Sequence, residues 1–315
     1  MRPKTIILSA VAALIAYGVG ATVMLAADSE RGDWTLSRSD LPGVVRFSVI
    51  QSNHNGTFQS SSDWRTGEFQ GLDLSQSGRH EVRFTVSRDA GRFECEGFLD
   101  DGEGAGLFHF FANPQYPGEM AALGFNGVDA KKQMSMAIQD VTLEFAKEMK
   151  GERLEGLDLD KLIAFRIFGV TRQFIEELRS TGMNVTESDK LIAFRIHGVS
   201  PEMIRWLHQA GYQPDADKLI AMRIHGATPE WIEQLSKVGY TKLDLDKMIA
   251  FRIHGVSPEF IEKLRELGYS HPDADQLIAM RIHGVTPEYI AKMQSRGMSN
   301  LSTDQLVNLR IHGID

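Results

Sequence analysis

The chain has 315 residues, 42% of them hydrophobic and 24% charged, a globular composition long enough for two or three domains. Its formal net charge is −8, so it lacks the basic field with which nucleic-acid binders neutralise phosphates, and DNA and RNA are not expected partners. A single cysteine, Cys95, rules out an intrachain disulfide and a cysteine-only zinc site.

Arg2 and Lys4 precede an uncharged, mostly apolar run from Thr5 to Ala27, and Asp28 and Glu30 follow it. The run is long enough to span a bilayer and longer than the core of a typical cleaved signal. Basic residues before it and acids after it place the N-terminus in the cytoplasm and the bulk in the periplasm. Residues 1–28 are therefore expected to be a signal-anchor, a single transmembrane helix in the cell inner membrane. The alternative is a signal peptide cleaved near Ala21, Ala26 or Ala27, which would secrete the remainder to the periplasm.

Residues 33–117 read as an antiparallel β domain. Val45-Arg46-Phe47-Ser48-Val49, Val82-Arg83-Phe84-Thr85-Val86 and Phe93-Glu94-Cys95-Glu96 alternate apolar with polar, and Asn55-Gly56, Ser77-Gly78, Ala90-Gly91 and Asp101-Gly102 supply turns. Cys95 then sits among buried strand residues. Asp100, Asp101 and Glu103 among glycines suggest a calcium loop, but the spacing lacks the twelve-residue ligand pattern, and an acidic hairpin turn fits better. His80-Glu81 begins like a zinc-peptidase motif, yet Thr85 stands where the second histidine is needed. Trp64 and His54 are read as exposed, the candidate ligand surface of this domain.

The rest of the chain is periodic. Arg166, Arg195, Arg223, Arg252, Arg281 and Arg310 each open an Arg-Ile-His-Gly string, with Phe168 for histidine in the first, at steps of 29, 28, 29, 29 and 29 residues. A period of this size signals an α-solenoid of stacked helical hairpins. In each unit, acids begin a first helix, as at Asp215 and Asp217, and a glycine such as Gly198, Gly226, Gly255 or Gly284 stops it. Ser200-Pro201-Glu202, Thr228-Pro229-Glu230, Ser257-Pro258-Glu259 and Thr286-Pro287-Glu288 then cap a second, amphipathic helix. The first helices are apolar almost all round and should be covered by stacked neighbours. Residues 118–156 hold connecting helices and a degenerate first repeat from 129, in which Ala137 and Asp140 replace arginine and glycine. Residues 157–315 form the array, which ends in a half-repeat with polar Asn308 in place of alanine.

His197, His225, His254, His283 and His312 would align one per unit. Neighbouring helices lie about 8–10 Å apart, too far for a shared zinc with ligand distances of about 2 Å. The histidines are better read as helix C-caps, and Phe168 in the first copy agrees, because phenylalanine could not replace a ligand. No metal or other cofactor is expected. The arginines are expected to form an internal salt-bridge ladder with Glu202, Glu230, Glu259 and Glu288 or with the helix-start acids of an adjacent unit; the alternative is a stripe for an anionic ligand.

The Leu-Ile-Ala-Phe/Met-Arg-Ile-His-Gly-Val-Ser/Thr-Pro-Glu strings resemble helical repeats in the C-terminal extracytoplasmic extensions of bacterial BlaR-type membrane metallopeptidases and related stand-alone envelope proteins. Arg88-Asp89-Ala90-Gly91-Arg92-Phe93 with Gly102-Glu103-Gly104-Ala105-Gly106 resembles the β module that precedes them. The chain has no His-Glu-x-x-His stretch and no multi-span peptidase portion. The resemblance therefore implies a sensor-like or interaction portion without the enzyme. The expected architecture is α+β and multidomain: a membrane helix, a β domain and a solenoid. The expected function is a non-catalytic, membrane-tethered extracytoplasmic scaffold or sensor module that binds a protein partner through its repeats. A small-ligand or glycan-binding envelope protein is the alternative. Third comes an enzyme whose site converges in space, with His54, His80 and His109 as the residues to watch.

Overall fold

A computed structural model describes residues 30–53 and 56–314. Its first part is a seven-stranded antiparallel sheet. The strands are β1 (Glu30–Arg38), β2 (Val44–Asn53), β3 (Gly56–Arg65), β4 (Phe69–Gln70), β5 (His80–Arg88), β6 (Gly91–Asp100) and β7 (Glu103–Ala112). Their spatial order is β3-β2-β1-β7-β6-β5-β4. Alternation sends Trp34, Phe47, Phe84, Phe93 and Phe108 to one face, where each is buried. The sheet curls strongly. Trp64 in β3 and Phe69 in β4 stand at opposite ends of that order, yet their ring centroids are 5.8 Å apart. Phe47 in β2 likewise meets Phe84 in β5 edge to face at 6.3 Å.

Glycine permits the tightest approach in this core. Gly97 pairs with Gly106, and a Cβ on Gly97 would lie 2.6 Å from the Gly106 Cα and 2.9 Å from the Trp34 indole. That indole donates from Nε1 to the Glu96 carbonyl at 3.1 Å. Asp101 and Gly102 both have positive φ, +50° and +82°, at the β6–β7 turn. The acidic loop is thus a tight hairpin. Asp101 accepts from the Gly78 amide and lends its carbonyl to Arg38, so this one acid braces a neighbouring loop.

The helical part begins with α1 (Tyr116–Ala122) and continues as two alternating sets. The first set is α2 (Ala130–Ile138), α4 (Leu159–Phe168), α6 (Ser188–His197), α8 (Ala216–His225), α10 (Leu245–His254), α12 (Ala274–Ile282) and α14 (Thr303–Ile311). The second is α3 (Leu143–Gly151), α5 (Arg172–Ser180), α7 (Pro201–Gln209), α9 (Pro229–Lys237), α11 (Pro258–Glu266) and α13 (Pro287–Ser295). Local chemistry sets the boundaries. Ser200, Thr228, Ser257 and Thr286 cap the second helices with their hydroxyls, and proline follows each at once. Gly169, Gly198, Gly226, Gly255 and Gly284 leave the first helices at φ of +70° to +73°, which a side chain would strain. Consecutive first helices pack side by side from α4 to α14.

Helix α2 seats the array on the sheet. Gln133, buried, donates to the carbonyls of Ala90 and Asn113, and Gln139 donates to the Ser60 hydroxyl and the Ser61 carbonyl. Ser62 donates to the Ile138 carbonyl at 2.7 Å. The Tyr116 hydroxyl adds a bond to the Val141 carbonyl, also 2.7 Å. The expected transmembrane helix at 1–28 lies outside the described residues. Among the described residues, no helix is long and apolar enough to cross a membrane.

Candidate interaction surface

The repeated arginines do not form the expected ladder with the glutamates. Five of the six cross to the preceding unit and donate from Nε to the carbonyl that ends its first helix. Arg166 reaches Gln139, Arg195 reaches Phe168, Arg223 reaches His197, Arg252 reaches His225 and Arg281 reaches His254, at 2.9–3.2 Å. A helix C-terminus has unpaired carbonyls and partial negative charge, so a guanidinium completes it. The fork also lies over the aromatic ring of the preceding second helix. Arg166 on Phe145, Arg195 on Phe174, Arg252 on Trp231, Arg281 on Phe260 and Arg310 on Tyr289 are 4.7–5.3 Å from the ring centroids. In the unit before Arg223, Met203 stands at the aromatic position.

The glutamates assigned to those arginines are engaged at their own helix starts. Glu230 and Glu259 are held below the usual carboxylate range first by the capping hydroxyls of Thr228 and Ser257, then by their own backbone amides. For Glu202 and Glu288 the amide comes first and the hydroxyl of Ser200 or Thr286 second. A carboxylate ladder does exist, built from other residues. Lys132–Asp160 at 2.9 Å, Lys161–Asp189, Lys190–Asp217 at 3.2 Å, Lys218–Asp246 and Lys247–Asp275 join the starts of successive first helices.

The histidines contribute their backbones to this scheme. The next unit takes up the carbonyls of His197, His225 and His254, which explains how Phe168 stands at the same place. His197 and His254 are half-buried, and His225, His283 and His312 are exposed. Among the described residues, no group of three or more metal-ligating side chains converges.

The first helices keep one face uncovered. Ile167, Ile196, Ile224, Ile253, Ile282 and Ile311 are each 52–55% exposed, although an all-round apolar helix was expected to be enclosed. Neighbouring first helices pack on both sides of α6, α8, α10 and α12 and on one side of α4 and α14, and the isoleucines lie on a face that stays open. Exposed single isoleucines are ordinary, but six at the same repeat position make a regularly spaced apolar strip. The half-buried Ala164, Ala221 and Ile220 lie beside it on the same helix faces.

At its first unit the strip meets the β domain in a cleft of about 810 Å³, lined among others by Ile167, Trp64, Arg46, Arg65, Arg88 and Arg166. Trp64 was expected on the surface but is 1% exposed, because the Arg88 guanidinium lies 3.5 Å from its ring centroid. Arg88 pairs with Glu68 at 2.7 Å and with Asp140 at 3.2 Å, and Asp140 also receives Arg166. Asp140 holds the glycine position of the degenerate repeat at φ +56°. A carboxylate there ties a strand arginine to an array arginine, a junction that glycine would not make. His54 lies outside the described residues.

The cysteine is buried, and burial, reinforced by Glu94, pushes its thiol up. His80 and His109 lie on β5 and β7, and the imidazole of His109 stacks on Phe111 at 6.4 Å. What the fold and its surface define is a curled β domain carrying a helical-hairpin array with an open apolar face. No family model matches the chain, and no curated protein matches it.

Proposed function

We propose that this protein is a non-catalytic extracytoplasmic scaffold or sensor module that docks a protein partner on the isoleucine strip of its repeat array. The observation that carries the reading is the strip itself: six half-exposed isoleucines at the same repeat position, on a layer otherwise closed by neighbour-to-neighbour capping. Exposed apolar area of this extent is costly in water and is characteristic of interaction surfaces. The resemblance to BlaR-type extensions points the same way, to a receptor portion without a peptidase. Residues 1–28 serve as the membrane anchor in this reading, with the array in the periplasm. Resistance of the full chain to alkaline extraction from membranes tests the anchor, and release into the soluble fraction would refute it.

The docking claim is tested by affinity purification from solubilised membranes with wild type and Ile224→Glu/Ile253→Glu. A partner retained by wild type and lost from the variant supports it. Identical recoveries from both would sink it.

The cleft beside Trp64 favours a second reading, a small-ligand site where the β domain meets the array. Its arginines are largely engaged by Asp63, Glu68 and Asp140, which makes it the weaker one. A thermal-shift screen with cell-wall fragments separates the two, since only a cleft ligand raises the melting temperature of the strip variant.

A further inference from the structure

We propose that the array bends at one built-in hinge, the joint between the hairpin of α6 and α7 and the hairpin of α8 and α9. The second-helix side gives way there while the first helices stay latched, whatever covers the isoleucine strip.

A later joint shows what a complete one contains. Between the hairpin of α10 and α11 and that of α12 and α13, the Arg281 guanidinium lies over the Phe260 ring. The Tyr240 hydroxyl donates to the Pro272 carbonyl, joining the loops that lead into α10 and α12. Gln294 of α13 donates to the Leu267 carbonyl, where α11 ends, at 3.1 Å.

Among the described residues, the joint between α6–α7 and α8–α9 has none of these three ties. Met203 stands in place of the ring beneath Arg223. Met183 holds the tyrosine position, and a thioether has no proton to give the Pro214 carbonyl. Ser236 holds the place of Gln294, and its short side chain donates instead to the Ile232 carbonyl of its own helix at 3.1 Å. The step across this joint, Arg195 to Arg223, is also the one of 28 residues. A void of about 520 Å³ lies at the same place, bounded by Met183, His208, Gln213 and Pro214 among others.

The flanking joints are better furnished. On one side Arg195 lies over Phe174, and the Glu155 amide donates to the Thr186 carbonyl between the loops before α4 and α6. On the other, Arg252 lies over Trp231 and Arg265 donates to the Val238 carbonyl. In a stack whose stability is a sum over neighbouring joints, the joint with fewest ties opens first. What survives here runs between the first helices: Arg223 on the His197 carbonyl at 2.9 Å and Lys190 on Asp217 at 3.2 Å. What is missing involves α7, α9 and the loops. Opening is therefore a bend about the α6–α8 contact, and it changes the spacing of Ile196 and Ile224 along the strip.

Two measurements on the purified full chain test this. Double electron–electron resonance uses nitroxide pairs at Glu177→Cys/Gln234→Cys, flanking α7, and at Gln234→Cys/Lys292→Cys, flanking α11, all at one outer helix position. The pair around α7 should give the broader distance distribution. Hydrogen exchange should find protection of α7 amides about tenfold or more below that of α11. Met183→Tyr/Met203→Phe/Ser236→Gln supplies the missing ties, and should narrow the first distribution and raise α7 protection. Tyr240→Met/Phe260→Met/Gln294→Ser strips the complete joint and should broaden the second distribution and lower α11 protection. Melting curves report folding, and should one variant unfold, the other decides. Equal widths for the two pairs in the wild-type background overturn the inference, and so does a folded variant that leaves its distribution unchanged.

Discussion

The guanidinium of Arg252 fills the space that a side chain on Gly226 would need: a Cβ there would lie 2.7 Å from Nη2. The same fit recurs between Gly169 and Arg195, Gly198 and Arg223, Gly255 and Arg281, and Gly284 and Arg310. Each glycine therefore answers two demands, a left-handed backbone and room for the arginine of the following unit. Gly226→Ala is expected to destabilise the chain by about 1–3 kcal/mol through backbone strain alone, with more from displaced Arg252. In a double-mutant cycle with Arg252→Ala the two losses should fall short of additive, measured by urea denaturation. Strict additivity would separate the two roles.

Arg223→Ala removes the donor to the His197 carbonyl. Loss of a charge-assisted bond of this kind costs about 1.5–3 kcal/mol, toward the lower end where water reaches the group. Thermal unfolding should register that loss while any strip binding is little changed. An unchanged melting temperature would refute a structural role for the arginine.

Asp140→Gly restores the glycine of later units and relieves a positive φ, yet it removes a carboxylate shared by Arg88 and Arg166. The expected net result is a loss of about 1.5–3 kcal/mol, with faster limited proteolysis between the β domain and α4. Unchanged or slower cleavage would show that the carboxylate does not tie the junction.

Glu202, Glu230, Glu259 and Glu288 have carboxyls held below their ordinary value of 4.5. Their folded-state pKa is depressed, so between it and 4.5 the unfolded chain binds more protons. Their contribution is fully present above that window and fades as pH falls through it. Replacing all four by glutamine should flatten stability against pH across this window. An identical slope in the variant would place the acid sensitivity elsewhere.

Cys95 is buried with a raised thiol, so native protein should resist thiol reagents that label it at once in denaturant. Rapid labelling of folded protein would contradict its place in the sheet.

The period, the caps and the stop glycines were legible because each is a local side-chain signal: hydroxyl, proline, acid, glycine. The alternating strands were legible for the same reason. The arginine acceptors were not, since a backbone carbonyl leaves no mark on the residue that owns it: Phe168 and His197 both serve. The lysine–aspartate ladder was visible in principle as Lys161 and Asp189 at nearly one repeat, but helical rules look three or four residues away. The open strip was missed because hydrophobicity cannot say which flank of Ile224 a neighbour covers. Trp64 was misread because Arg88, its cover, lies on a distant strand.

The junctions after the first are completed by the unit that follows, and Asp140, with Gln133 and Gln139, binds the series to the sheet. The array thus has a direction, fixed at one end and extensible at the other. Duplicating one hairpin after any stop glycine would preserve every existing joint and lengthen the oily track by a single step, so reach can be adjusted by copy number without redesigning a contact.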